Sequence, residues 1–205
     1  MNSKEISPFV ENFCNEERNK YFVPIDINFI QDPYNLEGIT EVIPECQKVL
    51  EILTSKTLTY EHNPEAEKLF GLLHSRYVQT IDGIDKINIK YMNKVYGTCP
   101  RYFCNNTPLM PTSNSDEFGK SSIKLYCPCC KNVYNPPTEY SSIDSSFFGK
   151  SFTSHFLKEH PEHLMNDNEN KKYNAKIFGF ELYSGEINEN IPEDYLLRHS
   201  FVIKP

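Results

Sequence analysis

The stretch that decides the fold of this chain begins Cys99-Pro100-Arg101-Tyr102-Phe103-Cys104 and ends, after a long intervening segment, with Cys127-Pro128-Cys129-Cys130. Five of the seven cysteines fall within this one stretch. Two close cysteine pairs with a loop between them are typical of one tetrahedral zinc ion held by four thiolates. A proline follows the first cysteine of each pair and stiffens the turn that aims two sulfurs at one point. The sequence therefore predicts one structural zinc ion per chain.

The predicted zinc ligands are Cys99, Cys104, Cys127 and Cys130. Cys129 lies inside the second pair, and we expect it either to point elsewhere or to compete with its neighbours. The alternative of buried or unpaired thiols without a metal is weakened by the clustering. Metal-type cysteines and a start without a signal-peptide segment predict a reducing compartment, the cytoplasm and the nucleus.

Composition limits the classes of function. The chain has 205 residues, enough for one real core and two small domains. Its hydrophobic fraction of 39% and charged fraction of 24% are ordinary for a soluble globular protein. The net charge of −7 and the lack of a run of Lys or Arg make nucleic acid an unexpected partner, because such binding depends on neutralising phosphates. No apolar stretch approaches the length of about 18 residues that a membrane-spanning helix needs, so none is predicted.

The first half of the chain is predicted to be helical. Ser7-Pro8 and Asn63-Pro64 each combine a helix N-cap with proline at the first helical position, and Pro44 and Thr80 are expected to start two further helices. The helix after Asn63 has wide apolar coverage and is predicted to be central. The expected buried stripe of the helix after Thr80 is Ile81, Ile84, Ile87 and Tyr91. Residues 54–62 are predicted to form a surface loop, and Gly97 to end the helical half.

The second half is predicted to be a small β module followed by a helix. Apolar β-type residues at 125–126 and 133–134 flank the second cysteine pair and indicate a hairpin, while the segment between the pairs is expected to be a long loop. A helix is predicted over about 151–159. His155 and His160 are separated by about 140° around a helix, so this pair does not predict a second metal site.

Residues 177–182 alternate in polarity and predict a strand with Phe178, Phe180 and Leu182 on one face. Two interpretations remain open from the residues alone: a core strand, or a solvent-exposed aromatic pair for a partner. The tail, residues 183–205, is predicted to be partly disordered.

The order of these motifs resembles the regulatory (beta) subunit of the protein kinase casein kinase II, over nearly the whole chain to about residue 182. The family's zinc segment, C-P-R-x-x-C followed by L-Y-C-P-x-C and V-Y-x-P, matches residues 99–104, 125–130 and 133–136. Further similar segments are F-I-Q-D-P-Y-N-L at 29–36, L-L-H-S-R-Y at 72–77, H-P-E at 160–162 and I-F-G-F at 177–180. The family's docking tyrosine is Phe178 here.

The resemblance implies an α+β fold with an α-helical domain over 1–97, a zinc-binding antiparallel β module over 98–165, and a C-terminal docking hairpin and tail over 166–205. It implies a homodimer through the zinc module, with Pro100 and Val133 at the contact. It also implies that Phe178 and Phe180 dock a catalytic kinase subunit, giving a tetramer of two regulatory and two catalytic chains. The family's acidic loop corresponds to residues 54–62, where Glu61 is the single acid.

The sequence is therefore interpreted as a non-catalytic regulatory subunit that modulates the stability and substrate choice of its kinase. The implied partners are the catalytic subunit, a second copy of the chain and the kinase substrates. The alternative is a zinc-ribbon nucleic-acid or transcription component. An enzyme is the third option, but four thiolates close a zinc site that catalysis would need open, and no catalytic residues are predicted.

Overall fold

The computed structural model of the protein describes residues 5–57, 62–164 and 176–181. The chain divides into two compact units, with the boundary between Lys171 and Lys172. The predicted tail and residues 58–61 of the predicted 54–62 loop lie outside the described residues. No helix in the described ranges has the length and apolar character that crossing a membrane requires.

The described residues form seven α-helices and five short strands. The helices are α1 Pro8–Asn15, α2 Ile27–Gln31, α3 Pro33–Leu36, α4 Cys46–Thr54, α5 Pro64–Tyr77, α6 Ile81–Met92 and α7 Phe152–Glu159. The strands are β1 Met110–Thr112, β2 Lys124–Tyr126, β3 Val133–Tyr134, β4 Lys176–Ile177 and β5 Phe180–Glu181. This mixture of helices with a small antiparallel sheet confirms the predicted α+β class.

Side-chain caps start the helices where the sequence predicts. The side chains of Ser7, Asn63 and Thr80 each accept a hydrogen bond from a backbone N–H in the first turn of α1, α5 and α6. The helix expected to start at Pro44 begins at Cys46 instead, after Glu45 in a left-handed conformation. Local sequence thus determines the helix starts to within one turn.

One member of the predicted stripe of α6 is wrong. Ile84, Ile87 and Tyr91 are buried, but Ile81 is 77% exposed. Ile81 is the first residue of the helix, directly after the Thr80 cap, and its position precedes the part of α6 that packs against the core. Gly83 is buried there instead, so close to the end of α5 that a Cβ atom would collide with the Tyr77 carbonyl oxygen.

The first unit contains a continuous hydrophobic core that includes residues on both sides of Gly97. Phe22 lies within it, with ring centroids 5.9 Å from Phe70 on α5 and 5.8 Å from Phe148. Phe148 in turn contacts Phe152 on α7, with a centroid separation of 5.9 Å. Aromatic contacts therefore join the helical half to the segment that follows the cysteines, and the division into domains at residues 97 and 98 stays a prediction.

The sheet of the first unit has the order β1-β2-β3 with antiparallel neighbours. The pairing of Leu125 with Tyr134 and Tyr126 with Val133 forms the hairpin expected around the second cysteine pair. The expectation of a loop throughout the segment between the pairs is wrong, because Met110–Thr112 pairs with β2. Pro111 is compatible with this strand because β1 lies at the sheet edge, where a missing N–H is tolerated.

Candidate metal centre

The two cysteine pairs lie on two tight turns. In the first turn, the Cys99 N–H donates to the Thr107 carbonyl at 2.8 Å, and Cys104 ends a 3-10 turn that is followed by Asn105 in a left-handed conformation. In the second, the Cys127 N–H donates to the Asn132 carbonyl at 3.0 Å where β2 turns into β3. Backbone hydrogen bonds thus fix the local shape of each turn.

These turns bring the four predicted sulfurs together. One ligand atom from each of Cys99, Cys104, Cys127 and Cys130 lies within 4.8 Å of all the others, and all four side chains are buried. The Cys99 and Cys130 sulfurs are 3.8 Å apart, whereas a disulfide would need about 2.05 Å. In a tetrahedral zinc site with bonds of about 2.3 Å, the sulfurs stand about 3.8 Å apart. The donor set therefore fits a tetrahedral thiophilic metal.

Cys129 is buried beside this cluster but does not belong to the group of four close sulfurs. Its neighbours in sequence, Cys127 and Cys130, join the first pair instead. The Cys129 thiol nevertheless contacts the Cys104 thiol, so both alternatives for Cys129, pointing elsewhere and competing with its neighbours, stay open.

The hydroxyl of Tyr134, on β3, contacts two of the four sulfurs. Its hydroxyl oxygen lies 3.3 Å from Cys130 Sγ and 3.4 Å from Cys99 Sγ. Burial opposes ionisation of Cys130, but hydrogen bonds from the Tyr134 hydroxyl and the Asn132 backbone outweigh it and lower the pKa of Cys130 to about 6. A thiolate is the form that binds a metal, so Tyr134 favours ligation.

Two other thiols of the cluster hold their protons without a metal. Burial raises the pKa of Cys127 to about 12 and raises the pKa of Cys104 strongly. A metal ion must displace these protons when it binds, so metal affinity is coupled to pH. Zinc, when bound here, would supply structural cross-linking between the two turns rather than chemistry.

The predicted dimer residues lie on the surface next to these turns. Pro100 is exposed, and Val133 is 51% exposed on the edge strand β3. Tyr102, between the first two cysteines, is 72% exposed and is not among the residues that the sequence predicts to be functional. Its neighbourhood gives no periodic signal, so only the structure identifies it as an apolar surface residue.

The second unit shows a hairpin, as the family resemblance implies for residues 166–205, where the alternation of residues alone predicts a single strand over 177–182. Ile177 pairs with Phe180, and Phe178 and Gly179 form the turn with φ of 50° and 88°. Two consecutive positive φ values are typical of a type I′ turn, which reverses the chain and ends the expected alternation. Leu182 lies outside the described residues.

Both predicted docking aromatics are exposed on this hairpin. Phe178 is 96% exposed and Phe180 is 79% exposed, which supports the exposed-pair interpretation over the core strand. The left-handed conformation of Phe178 costs about 1–2 kcal/mol for a residue with a Cβ. Phe178 thus combines a strained backbone conformation with a side chain that lies almost entirely in solvent.

Comparison with known proteins identifies one family over nearly the whole chain. Residues 8–181 match the family model described as casein kinase II regulatory subunit. Casein kinase II subunit beta of Schizosaccharomyces pombe is 34% identical over 184 residues, covering 86% of this chain and 79% of the relative. Casein kinase II subunit beta' of Drosophila melanogaster is 31% identical, covering 89% of this chain and 87% of the relative.

Proposed function

Because the chain belongs to the casein kinase II regulatory subunit family, which is non-catalytic, we propose that it forms a zinc-dependent homodimer that docks two catalytic kinase subunits. In this role it modulates the stability and substrate choice of the kinase. The observation that carries the proposal is the hairpin that presents Phe178 and Phe180 to solvent. Reduced metal-type cysteines fit the cytoplasm and nucleus as its locations.

Zinc is the proposed ion because the four close sulfurs match its preferred ligands and tetrahedral geometry. The three-stranded sheet is small, with strands of two or three residues. A metal that ties Cys99 and Cys104 to the β2–β3 hairpin supplies stability that such a sheet lacks.

The proposed dimer places the exposed apolar residues of the zinc module against those of a second copy. Val133 and Tyr102 are candidates for this contact, because a self-complementary patch on each copy forms a closed dimer. Light scattering and metal analysis before and after a strong chelator test the dimer. We expect one thiolate-bound zinc per chain in a dimer that dissociates when the metal is removed.

A matched pair of variants tests whether a loss of dimerisation is specific to the proposed contact or follows from any lysine placed on the surface. Val133→Lys should give a zinc-loaded monomer, whereas Val42→Lys should stay dimeric, because Val42 is 52% exposed but lies in the helical half. If the unmodified chain were a zinc-loaded monomer, the dimer proposal would be contradicted. The proposal of a metal site would not be affected.

Docking is tested by the affinity of the purified chain for a casein kinase II catalytic subunit. Phe178→Ala combined with Phe180→Ala should weaken binding by at least about thirtyfold, since one aromatic anchor contributes about 2 kcal/mol or more. Tyr34→Ala is the control, because Tyr34 is a similarly exposed aromatic on α3. Unchanged affinity of the double variant would contradict the docking assignment.

Salt-dependent nucleic-acid binding by a chain that does not bind the kinase would favour the alternative function, a zinc-ribbon nucleic-acid or transcription component.

A further inference from the structure

A second group of metal-type donors lies at the turn after α7 and shares no residue with the cysteine cluster. Ligand atoms of His160, Glu162 and His163 all lie within 4.8 Å of one another. His160 Nδ1 is 2.9 Å from a Glu162 carboxylate oxygen, and that oxygen is 3.8 Å from His163 Nε2. Two imidazole nitrogens and one carboxylate form a ligand set that zinc and related ions use.

A fourth donor comes from helix α6. The side-chain oxygen of Asn88 lies 2.8 Å from His163 Nε2. In the metal-free chain this contact is a hydrogen bond from the imidazole N–H to the amide oxygen. When His163 Nε2 ligates an ion instead, the amide oxygen stands close enough to become a further ligand.

The His163 ring is held in place by its neighbours. It packs against Tyr91 of α6 with a centroid separation of 4.6 Å, and it stacks on Phe156 of α7 with planes 13° apart. A ring fixed by packing loses little freedom on binding an ion, so the site is largely preorganised.

His160 carries an unsatisfied polar atom. Its Nε2 is buried and has no hydrogen-bond partner among the residues that the structure describes. The Asp85 carboxylate on α6 lies 4.0 Å from this nitrogen. Histidine ligands commonly bind a metal through one nitrogen while the other N–H faces a carboxylate, and His160 has both groups in that order. If His160 served only to hydrogen-bond Glu162 through Nδ1, the burial of Nε2 without a hydrogen-bond partner would have no explanation.

We propose that His160, Glu162 and His163, with Asn88 as a fourth donor, bind a divalent transition-metal ion of the zinc and cobalt type. Calcium and magnesium are disfavoured because they select oxygen ligands, whereas two of these donors are nitrogens. The ion would join the turn Pro161–His163 to helix α6, which precedes it by a long stretch of sequence. The spacing of His155 and His160 predicts no metal site, and the proposed site pairs His160 with Glu162 and His163 instead.

The test is a titration of the full-length metal-free chain with Co²⁺ under reducing conditions. Cobalt bound to thiolates shows sulfur-to-metal charge-transfer absorption, whereas cobalt bound to nitrogen and oxygen donors does not. We expect two ions per chain, of which one produces the thiolate absorption. Because the two ions are distinguished by this absorption, failure of the cysteine site and failure of the second site give different results.

Variants assign the second ion. Glu162→Gln should weaken its binding by at least about tenfold, because even supporting contacts change metal affinity by about 10–100-fold. Glu162 is largely exposed, so this variant should fold normally. His163→Gln should abolish the second ion, and His155→Gln, the control at a nearby histidine, should leave both ions bound. A single ion per chain, or a second ion insensitive to Glu162→Gln and His163→Gln, overturns the proposal.

Discussion

The imidazole of His74 donates a hydrogen bond from Nδ1 to the backbone carbonyl of Phe147, which is 2.8 Å away in space but lies far along the chain. Its other nitrogen accepts a hydrogen bond from the Val23 N–H at 3.1 Å. A carbonyl can only accept and an amide N–H can only donate, so these partners require the neutral imidazole with its proton on Nδ1. One buried side chain therefore joins α5, the segment before α2 and the segment before α7.

This position of His74 predicts a pH-dependent stability. Burial lowers the pKa of His74 to about 3, below the value of about 6.5 expected in the unfolded chain. The unfolded state therefore binds a proton that the folded state does not, and stability decreases as the pH falls from about 6 towards about 3, by at most about 1.4 kcal/mol per pH unit. Urea unfolding at several pH values measures this dependence.

His74→Gln is the matched variant, because glutamine keeps a donor and an acceptor but does not titrate in this range. The difference in unfolding free energy between the two proteins should narrow as the pH falls, while contributions shared by both cancel. Parallel pH profiles for the two proteins would contradict the prediction.

His74→Ala should lower the free energy of unfolding by about 2–4 kcal/mol at neutral pH, because it leaves a buried N–H and a buried carbonyl unpaired.

The geometry of the cysteine cluster predicts that Cys130 is a metal ligand and that its neighbour Cys129 is not. Cys130→Ser should reduce zinc affinity by more than the roughly 10–100-fold expected for loss of a supporting contact, because it removes a direct ligand. Cys129→Ser should retain one thiolate-bound zinc per chain. Competition with a chromophoric chelator measures both affinities. Equal losses in the two variants would show that Cys129 takes part in ligation.

Tyr134 should contribute to zinc affinity without being a ligand. Tyr134→Phe removes the hydroxyl that contacts the sulfurs of Cys99 and Cys130, and it should weaken zinc binding by about 10–100-fold. Tyr140→Phe is the control, because the Tyr140 hydroxyl bonds to Glu17 instead. The same chelator competition measures the zinc affinity of both variants. Equal zinc affinities would show that the Tyr134 hydroxyl does not contribute to metal binding.

Gly83 should be required by packing despite its low helix propensity. Alanine in a helix interior is normally favoured over glycine by about 1 kcal/mol, but a Cβ at this position would collide with the Tyr77 carbonyl. Gly83→Ala should therefore destabilise the chain, by about 1–3 kcal/mol as at other overpacked sites. Thermal unfolding measures the effect.

The comparison for Gly83→Ala is Ile89→Ala, because Ile89 lies on the exposed side of α6. A surface substitution of this kind should change the free energy of unfolding by no more than about 0.5 kcal/mol. A stabilised Gly83→Ala variant would mean that α6 moves away from α5 at little cost.

Several features could be predicted from sequence because their causes are local. The caps at Ser7, Asn63 and Thr80 act within one turn, and the cysteine spacing restricts each pair to a tight turn. The alternation at 177–182 identifies the aromatic pair Phe178 and Phe180 but predicts one strand instead of a hairpin, because a positive φ at a non-glycine residue has no clear sequence signal.

Other features depend on residues that are distant in sequence. The exposure of Ile81, the pairing of Met110–Thr112 with β2 and the position of His163 beside Asn88 each depend on how separate segments pack. The His-Pro-Glu-His order at 160–163 is visible in the sequence, but its partner on α6 is not.

The sequence by itself determined where the helices begin, which cysteines form pairs and which aromatic residues stand near the C-terminal end, because these depend on neighbours within a few residues. Only the tertiary structure shows that the four predicted sulfurs lie within one cluster, that the buried His74 joins three segments, and which histidines share a site. Such contacts bring together groups far apart in the chain, and their geometry depends on packing of the whole core.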